Sequence, residues 1–149
     1  MAGRLARMLP WLLTPLLWPF ERLYRKEDAA RQAVAKSARK MGEADRTAIL
    51  MPAVSAAVAA STVEAFRQGV RGVAHEATLY ACPWGFRLED IACPRLFLWH
   101  GERDPLVPIA MGRAVAARLA QCQATFYPEE GQFSILVNHM GEMLTAVSM

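Results

Sequence analysis

The stretch Leu96-Phe-Leu-Trp-His-Gly-Glu-Arg-Asp-Pro-Leu-Val-Pro108 constrains this chain more than any other part of it. It reads as a short strand with apolar residues on both faces, ended by a glycine turn that carries Asp104 into a loop. A helix opens at Pro108, where a proline is already set for the first helical turn. A second strand ends at Pro128-Glu-Glu-Gly-Gln-Phe133, so two loops open at the same edge of a parallel pair. Open α/β sheets build their sites there, outside the carboxyl ends of the strands.

The periodicity around these strands gives the order strand 95–100, helix 108–121, strand 123–128, helix 134–147. Met111, Val115 and Leu119 form one apolar stripe, and Leu136, Met140, Met143, Leu144 and Val147 form a longer one. This order means a parallel pair with a right-handed crossover. Upstream the chain reads as helical. Residues 27–42 carry Glu27 and Asp28 in the first turn and Arg39 and Lys40 in the last, complementing the helix dipole. A short helix at 44–51 stops at Pro52, which can begin the next helix, over 52–68. Ser61 and Glu64 either split that helix with a capping box or lie within a continuous one. The segment 73–94 reads as irregular.

At 149 residues the chain is expected to hold one sizeable core, not two full domains. Its +3 formal charge comes from scattered arginines, with no basic run interleaved with aromatics, so no nucleic-acid partner is expected. Cys82, Cys93 and Cys122 match neither a disulfide framework nor a metal spacing and read as small buried thiols in a reducing, cytoplasmic setting. His75, His100 and His139 are too dispersed for a zinc site, and neither a metal nor a cofactor is expected. The apolar run Met8–Phe20 follows Arg4 and Arg7 but is short for a membrane span, carries three prolines and is followed by Glu21 and Arg22 where a signal peptide would show small residues. It reads as a hydrophobic arm that packs on something; no transmembrane segment or secretion signal is expected.

Taken in order, Glu64-Ala-Phe-Arg-Gln-Gly69, Tyr80, Pro83-Trp-Gly-Phe86, Trp99-His-Gly-Glu-Arg-Asp-Pro-Leu-Val-Pro108 and Pro128-Glu-Glu-Gly-Gln-Phe-Ser134 resemble the α/β-hydrolase family, in its helical cap and the carboxyl-terminal half that follows. The resemblance implies an α/β fold class: an incomplete α/β-hydrolase fold, with a helical cap (lid) over 1–86 followed by a two-strand parallel β-α-β-α unit over 87–149. It places Asp104 at the position of the triad acid. The family's histidine, usually within Gly-His, falls at Gly131-Gln132. Trp84, Phe86 and Arg67 of the cap become candidate substrate-binding residues for a small ester or acyl substrate.

Two departures decide the chemistry. Gln132 has reach similar to that of histidine and can donate its amide N–H to Asp104, but it has no nitrogen basic enough to take a proton from a serine. Losing that base typically costs on the order of 10⁶-fold in rate in a serine hydrolase. The second departure is the nucleophile: none of Ser37, Ser55, Ser61, Ser134 and Ser148 lies in Gly-x-Ser-x-Gly, and no strand precedes the cap.

Plainer roles compete for each residue. Asp104 can brace its own loop, and His100 reads as a satisfied core histidine. His139 falls within the last helix and reads as structural, and Glu129 and Glu130 read as a solvated turn. Arg67 can be an ordinary exposed helix arginine, and Trp84 and Phe86 can be cap packing. Two functions follow: a truncated or split hydrolase chain inactive alone, or a non-catalytic interaction module descended from one. Either leaves an apolar strand edge exposed, inviting a partner chain that supplies the missing sheet, or self-association.

Overall fold

The computed structural model describes residues 13–24, 26–80 and 82–148. Among them seven helices precede or flank a two-stranded sheet: α1 (Leu13–Tyr24), α2 (Glu27–Ala38), α3 (Glu43–Ile49), α4 (Pro52–Ala65), α5 (Arg71–Leu79), β1 (Leu96–Gly101), α6 (Ile109–Arg118), β2 (Cys122–Tyr127) and α7 (Ser134–Ser148). Residues 1–12, which include Arg4, Arg7 and the first five residues of the apolar run, lie outside the described residues; the rest of the run, from Leu13, is in α1.

The sheet is parallel, with register running from Leu96 opposite Cys122 to Gly101 opposite Tyr127. The strand–helix–strand–helix order read from the sequence is therefore present, with ends shifted by a residue or a few. β1 has β2 on one edge and no described strand on the other. Its alternation puts Phe97 and Trp99 on one face, where their rings stack 5.4 Å apart and the Arg95 guanidinium lies over Phe97. His100 points to the other face and meets α6 at Gly112, where a Cβ would stand 2.7 Å from its Nδ1. Its Nε2 lies 3.0 Å from the Val107 carbonyl oxygen, so His100 is a hydrogen-bonded structural residue.

The chain divides into two compact units, one formed by Met1–Ala35 with Ser55–Phe86 and the other by Lys36–Val54 with Arg87–Met149. Residues 36–54, within the stretch assigned to the cap from the sequence, thus cluster with the carboxyl-terminal elements. The physical reason is α3, which packs on α7 and buries Asp45, Ala48 and Ile49. In the first unit α1 packs on α5, Tyr24 lies against Phe66 with ring centroids 5.4 Å apart, and Ala30, Val34, Ala59 and Ala74 are buried.

Two local expectations are corrected and one choice is decided. The segment 73–94 is not wholly irregular, because its first residues form the end of α5; Tyr80 and Cys82 donate back into that last turn. Of the two readings left open at Ser61, the continuous helix is the one present, with α4 unbroken from Pro52 to Ala65 and three residues short of its expected end. Cys82 is exposed and Cys93 and Cys122 are half-buried, so none of the three free thiols is the core residue expected. No single helix among the described residues is long and apolar enough to cross a membrane.

Candidate functional site

The carboxyl ends of β1 and β2 meet as two hydrogen-bonded loops. The Glu102 N–H donates to the Tyr127 carbonyl at 2.9 Å, and the Arg103 N–H donates to the Glu130 carbonyl at 2.9 Å. The approach is so close that a Cβ on Gly101 would collide with the carbonyls of Glu130 and Gly131. Glycine is required at 101 for that packing.

Asp104 stands in the first loop. Its Oδ1 accepts the backbone N–H groups of Leu106 at 2.7 Å and Val107 at 3.0 Å, an Asx-type brace that aims the chain into α6. Among the described residues Oδ2 accepts no hydrogen bond. Gln132 stands in the second loop, and no hydrogen bond joins its side chain to Asp104. Its Oε1 is buried without a partner. The amide-to-carboxylate contact that the spacing allowed is not made.

What fixes the Gln132 loop is a carboxylate that sequence reading did not single out. Asp45, 3% exposed, accepts the N–H groups of Gln132 (3.1 Å), Phe133 (2.9 Å) and Ser134 (3.0 Å). These are donors that the first turn of α7 cannot satisfy internally, and a negative charge is favoured at this end of the helix dipole. Gly131 is needed because a Cβ there would strike the Asp45 carboxylate. The Gly131 N–H turns instead to Ser134 Oγ at 2.8 Å. The Gly-Gln pair is therefore a seat for Asp45.

Beside this seat lies a polar cluster along one side of α7. Glu130, its side chain 13% exposed, accepts from Asn138 Nδ2 at 3.0 and 3.2 Å and faces His139 Nε2 at 3.2 Å. His139 Nδ1 faces Glu142 at 3.3 Å, and the imidazole packs on Tyr127 with ring centroids 3.9 Å apart. Tyr127 Oη donates to Glu142 at 2.6 Å. That hydrogen bond pushes the Tyr127 phenol up to about 12 and, from the other side, holds the Glu142 carboxyl below its ordinary range. Burial raises Glu130, but hydrogen bonds from Ser134, Asn138 and His139 outweigh it and the carboxyl titrates below the ordinary glutamate value.

The solvated-turn reading therefore holds for Glu129, which is exposed and paired with Arg103, and fails for Glu130. The missed signal was the spacing of Ser134, Asn138 and Glu142, with His139 three residues before Glu142, along one side of a helix. The cluster contains carboxylates, an imidazole and a phenol, but Ser134 is fully buried and its oxygen serves the Gly131 N–H. Among the described residues no three His, Cys, Asp or Glu side chains converge where they could hold a metal ion.

The cap candidates separate. Trp84 and Phe86 line one groove, their rings 5.7 Å apart. Arg67 lines a different, polar concavity with Gln68 and Arg71 and pairs with Glu64 at 2.9 Å in an exposed i,i+3 bridge. Its surroundings are those of an ordinary surface arginine. The chain matches no family model, no curated protein and no solved structure.

Proposed function

We propose that this chain is the cap-and-acid portion of an α/β-hydrolase-type ester or acyl hydrolase, and that it does not hydrolyse esters by itself. The observation that carries the reading is the pair of loops at the carboxyl ends of β1 and β2. One bears Asp104 with Oδ2 uncommitted, and the other presents position 132 at the start of α7. A carboxylate braced through one oxygen keeps the other for an imidazole N–H, as a triad acid must. Gln132 cannot take a proton, and no serine of this sequence lies in a nucleophile turn, so attack on a carbonyl needs groups from elsewhere.

A specific observation favours the alternative, a non-catalytic interaction module. Leu136, Met140, Leu144 and Val147 make an exposed apolar stripe on α7, and among the described residues β1 is paired on one edge only. A Gly-x-Ser-x-Gly segment encoded immediately upstream would separate the two, favouring the split hydrolase.

The activity test uses a short-chain chromogenic ester. Neither the purified chain nor its Gln132→His variant turns it over above background, because restoring the base leaves the nucleophile missing. Saturable turnover by the unmodified chain overturns the proposal.

A further inference from the structure

The groove at the end of α5 holds Trp84 and Phe86, offered above as ester-binding candidates, but the proposed function does not rest on it. It has a volume of about 570 Å³ and is walled by Glu76, Leu79, Tyr80, Cys82, Trp84 and Phe86. A volume of this order suits a small-molecule ligand. Its construction is local. Gly85 adopts φ +79°, which side-chain-bearing residues rarely hold, and that turn brings Trp84 and Phe86 together as a tilted pair. Tyr80, Trp84 and Phe86 are 84%, 63% and 56% exposed, so their rings stand free in the groove.

The electrostatics of the wall have one sign. Glu76 is exposed and forms no ion pair among the described residues, and no lysine or arginine lines the groove. The groove also lies at the carboxyl end of α5, whose last turn carries no basic residue to offset the helix dipole. In a chain with a formal charge of +3 this is a local negative site faced with aromatic rings. Aromatic faces carry negative potential and attract cations that bring apolar substituents, a combination used to recognise alkylated ammonium groups.

We propose that this groove binds a cationic small molecule with an apolar body, an alkylated ammonium, with Trp84, Phe86 and Tyr80 facing the cation and Glu76 supplying the counter-charge. The proposal is independent of the hydrolase reading, since it requires neither Asp104 nor position 132.

Hexyltrimethylammonium, hexanol and hexanesulfonate share one tail and differ in charge. Titrated into the full chain and followed by calorimetry and tryptophan fluorescence, hexyltrimethylammonium binds saturably and at least about fivefold more tightly than hexanol, with hexanesulfonate weakest. Glu76→Gln removes most of that preference without changing hexanol binding. Trp84→Ala weakens the cation by about tenfold, and Trp84→Phe retains most of the binding because a ring remains. Both positions are exposed, so an unchanged circular dichroism spectrum confirms that each variant is folded. Equal binding of cation and alcohol, an undiminished preference in Glu76→Gln, or no saturable binding by the unmodified chain overturns the proposal. So does a groove closed by self-association that Trp84→Ala abolishes.

Discussion

Asp45 ties α3 to the loop after β2 and the start of α7. One buried carboxylate satisfies three consecutive N–H groups at the start of α7 from a helix 87 to 89 positions earlier in the chain. Removing it leaves three donors without partners and a helix end without its counter-charge. Asp45→Ala should therefore lower stability by about 3 kcal/mol, with Asp45→Asn intermediate. Chemical denaturation reads this as a fall in midpoint at constant slope. A loss under about 0.5 kcal/mol, typical of a neutral surface change, would mean the seat is not structural. The sequence shows Gly131 and Gln132 plainly, but their reason lies in Asp45, and nothing local links residues so far apart. Asp104 was easier, because the acceptor for Leu106 and Val107 sits two and three residues before them.

At the level of elements, segments bounded by clear turn residues were readable and a helix set among turn residues was not. Both strands, α6 and α7 follow from apolar runs and stripes between turn residues. α5 was missed although it is at least as amphipathic as α6, because turn residues crowd it on both sides, Gly69 and Gly72 at its start and Pro83 and Gly85 after; it packs on α1. On α7 the expected apolar stripe splits in the structure: Ile135 and Met143 are buried, while Leu136, Met140, Leu144 and Val147 face outward. The polar side, with Glu130 against Asn138 and His139, joins the loop after β2 to α7. Glu130 is held below its ordinary value of 4.5 in the fold. Its contribution is thus complete above the unfolded titration range and is lost as pH falls through the folded value. Glu130→Gln should be less stable than the unmodified chain by about 1–2 kcal/mol at neutral pH, and the gap should close as the medium is acidified toward pH ~3. Thermal melts across that range check it; a gap that persists in acid would assign the loss to packing.

At the scale of the whole molecule, several apolar faces among the described residues are left exposed. The stripe Leu136, Met140, Leu144 and Val147 of α7 is exposed, β1 has a single described strand beside it, and α4, Ala- and Val-rich all round, fully buries only Ala59. A helix apolar on every side and a strand apolar on both faces are ordinarily interior elements. Their exposure fits the proposal that the chain acts with a partner supplying further sheet. Reaction with a fluorophosphonate tests this most directly, since such probes label a serine only when a neighbouring base and oxyanion donors activate it. Purified chain treated with the probe and mapped by peptide mass should carry no label on Ser37, Ser55, Ser61, Ser134 or Ser148. Stoichiometric labelling of any one of them, blocked by prior heat denaturation, would show a working nucleophile within this sequence and contradict the account.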